Sequence, residues 1–134
     1  MERRLLQIAV LVAALGPIWV GVGGVLWGAA AAGGYLAGPA DSQFRYLSGL
    51  LIGVGAAYAV LAPRIEREGA RLFMLTLIMV LAGFCRASAM LTAARPGEGV
   101  SVALVAELVV APALYLWQTR IARLALVDAR PPEA

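Results

Sequence analysis

The chain has 134 residues, 62% of them hydrophobic and 14% charged, with a formal net charge of +3. Soluble domains carry about 25% charged residues, and a chain this short has too much surface to hide so large an apolar fraction from water. Composition excludes an ordinary soluble enzyme, a disordered chain and a secreted disulfide scaffold, and leaves a small integral membrane protein with one domain over 1–134.

The first apolar block, 5–28, has no charge and follows Arg3 and Arg4. It is longer than the 7–15 apolar residues usual in a signal peptide, and Pro17 blocks cleavage after Ala14-Leu15-Gly16, so a retained span is expected. The connector 29–43 holds Gly33, Gly34, Gly38 and Pro39. It reads either as a plain flexible link or as a segment lying over the membrane surface. Asp41 or Ser42 is the expected N-cap of the second span, 44–63, which carries Arg45 at its start. The third span, 72–91, contains Arg86, and the fourth, 100–117, contains Glu107. At 1.5 Å rise per residue the four blocks reach roughly 27 to 36 Å, enough to cross a bilayer. Residues 118–134 form a tail in which helical spacing persists to Val127, ahead of Pro131 and Pro132.

Arginine placement orients the chain. Arg3 and Arg4 precede span one, Arg64, Arg67 and Arg71 separate spans two and three, and Arg120, Arg123 and Arg130 follow span four. Only Arg45, Arg86 and Arg95 fall toward the other side. The positive-inside rule then predicts an all-α, integral membrane four-helix bundle, N-in/C-in, in the inner membrane. Gly24/Gly28 and Gly49/Gly53 have the small-xxx-small spacing of helix contacts, and Gly83/Ala87 is a looser version of it. Pro17 and Pro112 fall inside spans one and four, where each is expected to kink its helix. Trp19, Trp27, Tyr46, Tyr58, Tyr115 and Trp117 mostly fall near span ends and suit the interface.

Intramembrane charge is costly and marks a partner or a function. Arg45 opens span two, Arg86 lies about 7–8 Å before the end of span three, and Glu107 lies about 10 Å into span four. All three are therefore expected in the outer half of the membrane, where an Arg fork can grip a carboxylate. Arg45, Gly49 and Gly53 share a helix face, with Ser48 beside it. Three readings follow. A closed network of Arg45, Arg86, Glu107 and Asp41 fixes helix register. A pocket of Arg45, Ser48, Gly49, Arg86 and Glu107, supported by Asp41, Tyr46, Gly53 and Pro112, holds a lipid or a small anionic or amphipathic ligand. Glu107 carries protons in a small transporter, with Pro112 as a hinge.

Other chemistries lack their parts. The chain has no His and one Cys, Cys85, so a zinc site and a His-activated nucleophile are excluded, and no metal or cofactor is expected. The basic residues flank apolar blocks rather than one soluble face, which argues against nucleic acid. Expected partners are the bilayer, such a ligand, and a second copy or a larger membrane complex. An integral membrane enzyme with Glu107 as acid–base group is a further class, disfavoured by the lack of His and by an Arg beside the acid.

The run Phe44-Arg45-Tyr46-Leu47-Ser48-Gly49 with Gly53, an Arg late in span three, and a Glu ahead of Pro112 and Leu116-Trp117 resemble a bacterial family of small four-helix membrane proteins of unknown function, DoxX-like in kind. The resemblance covers nearly the whole chain. It implies a four-helix bundle with both ends inside and no established activity. Some DoxX-like relatives serve thiosulfate–quinone redox systems, but this sequence lacks the ligands for such a role.

Overall fold

The structure, a computed structural model, describes residues 1–91 and 98–128. Arg95, Arg130, Pro131 and Pro132 lie outside the described residues. Helix α1 spans Glu2–Trp27 and runs into a 3-10 turn at Gly28–Ala32; α2 spans Pro39–Leu61 with a 3-10 turn at Ala62–Arg64. Helix α3 spans Gly69–Met90, α4 spans Glu98–Val105, a π-helical turn covers Ala106–Val110, and α5 spans Ala111–Asp128. Four stretches, Glu2–Ala31, Pro39–Arg64, Gly69–Met90 and Gly99–Ala125, are long and apolar enough to cross a membrane. The predicted spans are therefore present in an all-α chain among the described residues, with shifted ends.

The largest shift is between α1 and α2. The 3-10 turn consumes the start of the predicted connector 29–43, and α2 begins at Pro39 rather than at Phe44. Glycines permit this: Gly28, Gly33 and Gly38 have φ of 60°, 72° and 57°, a region that a side chain disfavours. Pro39 then follows Gly38 at the first helical position, where its missing N–H costs nothing. As a result Asp41 is in the first turn of α2, not its N-cap, and Arg45 moves into the second turn.

The chain forms two compact units, Val10–Val60 and Met1–Ala9 with Leu61–Ala134. In Val10–Val60, α1 and α2 pack antiparallel at glycine distance. A Cβ on Gly21 would stand 2.6 Å from the Ser48 carbonyl oxygen, and one on Gly55 would stand 2.5 Å from Ile18 Cγ1 and 2.8 Å from the Ala14 carbonyl oxygen. A Cβ on Gly24 would run into the Ser48 hydroxyl. The contacting positions step by three and four residues on both helices, the spacing of a coiled-coil seam. Gly24 and Gly28 lie in this seam as their spacing predicts. Gly49 and Gly53 do not, since nothing lies within 4 Å of a Cβ on either; on α2 the small contact residues are Ser48 and Gly55.

The other unit repeats the pattern with larger side chains. Leu72, Thr76, Met79 and Gly83 are the buried residues of α3, and Glu107, Ala111, Leu114, Gln118 and Ile121 are buried along the fourth span. Gly83 meets Leu108, Phe73 and Tyr115 rings lie 5.4 Å apart, and Gly69 meets the Gln118 amide, which defines one antiparallel register. Gln118 is 2% exposed and its Nε2 donates to the Ile65 carbonyl at 3.1 Å. Gln7 Nε2 donates to the Pro63 carbonyl at 3.0 Å, and Arg3 pairs with Glu66 at 3.0 Å, so the start of α1 is tied to the turn before α3. Elsewhere the helices expose large apolar side chains, among them Trp19, Phe84, Val102 and Leu116. Apolar surface on that scale suits a lipid environment rather than water.

Gly55→Val is expected to lower the melting temperature in detergent, because an overpacked helix contact costs about 1–3 kcal/mol. Gly49→Ala, facing open space, is expected to leave it unchanged. A thermal unfolding series on the two variants checks this, and equal effects would remove the α1–α2 seam as drawn.

Candidate functional site

Glu107 is 4% exposed and is the one charged residue between Gly99 and Thr119. Arg86, on α3, meets it with a two-bond fork: Nε donates to Oε2 at 3.0 Å and Nη2 donates to Oε1 at 2.8 Å. Both oxygens are thus used, and paired charge-assisted bonds of this kind are the strong ones. The two side chains differ in exposure, 38% for Arg86 and 5% for Glu107. The carboxylate is enclosed while the outer edge of the guanidinium is open. Arg86 Nη1 meets no protein acceptor among the described residues, and Arg86 lies four residues, about 6 Å, before the end of α3.

Sequence explains why the two meet. Gly83 lies one turn before Arg86, and a Cβ there would stand 2.6 Å from Leu108 Cδ2 and 3.1 Å from Glu107 Cβ. The missing side chain lets the fourth span approach α3 closely enough for the fork to close. Pro112 shapes the other side. Its ring would clash with the carbonyl of Leu108 in a regular helix, and the chain widens into the π turn Ala106–Val110 instead, with Ala111 donating its N–H to the Ala106 carbonyl. Pro112 has no N–H to extend that five-residue pattern to Glu107. The kink expected at Pro112 is therefore a π turn holding Glu107, whereas Pro17 sits within an uninterrupted α1. Local π adjustment is a known way for a membrane helix to absorb a proline.

In the Val10–Val60 unit, Arg45 has a different set of partners. Its Nε donates to Asp41 Oδ2 at 2.8 Å, one turn back on α2. Its Nη1 donates to the carbonyl oxygens of Val25 and Leu26. Those carbonyls belong to the last turn of α1, where intrahelical donors run out and a cation complements the helix dipole. Gly28 makes room for this cap, since a Cβ there would stand 2.5 Å from Asp41 Oδ1 and 2.9 Å from Arg45 Nη2. Ser48 donates to the Phe44 carbonyl at 2.8 Å and is buried against Gly24. Tyr46, Gly49 and Gly53 are exposed.

The candidate residues thus fall into two constellations, Arg86 with Glu107 above Pro112, and Arg45 with Asp41 beside Ser48. The model of one family matches residues 5–118, which covers the second and third membrane-length stretches whole and most of the first and fourth. The chain belongs to the DUF4345 family. That family is described as a domain of unknown function, and its match contains both constellations while stopping before Arg120. No curated protein and no solved structure matches the chain.

Gln118 is the residue sequence reasoning passed over. Its signal was present: an amide at i+7 from Ala111 and i+11 from Glu107 shares the face that Glu107 marks. Thr76 was also unremarked; its hydroxyl is buried in the α3 seam with no partner among the described residues.

Removing either end of the fork should be unequal in cost. Arg86→Gln leaves an enclosed carboxylate without its partner and is expected to destabilise by about 3–5 kcal/mol. Glu107→Gln leaves a guanidinium that can reach the surface and is expected to cost about 1–3 kcal/mol. The double variant is expected to cost less than the sum. Denaturant titration of the three variants in detergent measures this, and additive losses would mean that the fork does not couple the helices.

Proposed function

We propose that this DUF4345 protein is a multi-pass protein of the inner membrane, with both termini cytoplasmic, that holds the anionic head of an amphipathic molecule at Arg86 and performs no reaction on it. One observation carries this reading. Arg86 spends one edge of its guanidinium on Glu107 and keeps Nη1 without an acceptor among the described residues, at 38% side-chain exposure. A guanidinium edge facing apolar surroundings is costly until an anion meets it. Phosphate and carboxylate heads match its planar fork. Glu107 then serves as a fixed counter-charge that aims the guanidinium. Arg45 and Ser48 are engaged by the bonds described above and supply no contact in this reading. The DoxX-like likeness of the run from Phe44 to Gly49 fits a protein of this size and span count and adds no residue to the site.

A second reading has one observation in its favour. Glu107 lies in a π turn, and such turns occur often at functional sites. Proton carriage by Glu107 would first have to break both bonds to Arg86.

Native mass spectrometry of gently extracted wild type beside Arg86→Gln tests the proposal. The expected result is a bound anionic mass on the wild type that is absent from the folded variant. Apo protein in both samples would overturn the binding reading and leave the fork as a structural pair.

A further inference from the structure

A second cationic feature lies thirteen residues beyond Glu107 along the same span, about 20 Å by helical rise, and outside the family match. Leu116, Thr119, Arg120, Arg123 and Leu124 line a cleft of about 380 Å³ on one face of α5. We propose that this cleft is a binding site for the phosphodiester head of an anionic phospholipid, with Arg123 and Arg120 as the groups that hold the phosphate.

The spacing i, i+3, i+4, i+7, i+8 puts all five side chains on one stripe of the helix. The two arginines are three residues apart on that stripe, and both are exposed. Arg123 has no acceptor among the described residues. Arg120 has one, Glu2 Oε1, at 3.5 Å and with 68% of its own side chain exposed. That long contact leaves the guanidinium available and makes Arg123 the stronger anchor. Thr119 donates its hydroxyl to the Leu116 carbonyl at 2.8 Å, so both guanidiniums supply the donors for an anion.

The apolar partners select the source of the phosphate. Leu116 is 65% exposed and Leu124 is 48% exposed, and they flank the arginines along the helix. The stripe lies at the end of the membrane-length stretch Gly99–Ala125, where apolar surroundings give way to headgroups. A soluble anion gains nothing from the leucines. A phospholipid places its phosphate between the guanidiniums and its acyl chains along Leu116 and the span above it. Basic residues in this position typically favour acidic lipids by about fivefold each.

The test reconstitutes the full chain in bilayers of phosphatidylcholine alone or with added phosphatidylglycerol, and follows thermal unfolding and lipid retained in native mass spectra. Phosphatidylglycerol is expected to raise the wild-type melting temperature and to be retained. The Arg120→Gln/Arg123→Gln variant is expected to lose that shift and to retain the acidic lipid roughly 25-fold less well. The Arg64→Gln/Arg67→Gln variant, which removes equal charge elsewhere, is expected to keep the shift. An equal loss in both variants would overturn the site in favour of diffuse charge. A shift of the same size from inorganic phosphate in phosphatidylcholine bilayers would overturn the lipid assignment, and an unchanged shift in the Arg120→Gln/Arg123→Gln variant would overturn the cleft.

Discussion

A carboxylate enclosed in an apolar helix must be neutralised where it stands, and Arg86 does this for Glu107. That requirement sets the register of α3 against the fourth span. Once the fork is closed, Gly83 has to lie against Leu108, Phe73 against Tyr115, and Gly69 against Gln118. Shifting one helix past the other by a turn would break the fork and drive side chains into the glycine contacts. A hydrophobic seam alone tolerates such slippage far better, because leucine and alanine surfaces are alike from one turn to the next. Charge pairing therefore supplies the specificity, and close packing makes the pairing reachable.

The Val10–Val60 unit solves a related problem with backbone rather than side-chain charge. Helix α1 ends in a glycine-rich turn, and its last carbonyls need donors. Arg45 supplies them for Val25 and Leu26 while Asp41 balances its charge. Gly21 and Gly24 on α1, and Gly28 just after it, bring α2 near enough for one arginine to span the gap. Two intramembrane arginines of similar appearance thus have separate work. Arg45 is consumed by capping, whereas Arg86 keeps an edge without an acceptor among the described residues.

The exposed apolar faces and the polar residues at the helix ends follow from a single solvent change. With lipid as the surroundings, leucine and phenylalanine can point outward, and the polar side chains turn inward or gather at the ends. Gln118, Gln7 and Arg3 all bind backbone carbonyls or carboxylates around residues 63 to 66, tying three chain segments at one end. Arg120 and Arg123 stand on the outer face of that same end of α5, open to whatever the membrane boundary offers.

Much of this was determined by the sequence alone. Apolar runs long enough to cross a bilayer leave helices as the only spanning form, because lipid cannot satisfy exposed backbone groups. One acid in span four facing a late arginine in span three was enough to anticipate the Arg86–Glu107 pair. Residue type and depth carried that information, and both can be read along a chain. What only the tertiary structure decided was contact. Gly49 and Gly53 have the same spacing as Gly24 and Gly28, yet only the latter pair is used, since helix rotation about its axis is set by neighbours and not by local sequence. The same holds for Arg45, whose partners on α1 are carbonyls that any residue could have supplied. A backbone oxygen has no letter in a sequence, so its capture by Arg45, and the π turn that Pro112 imposes around Glu107, become visible only in three dimensions.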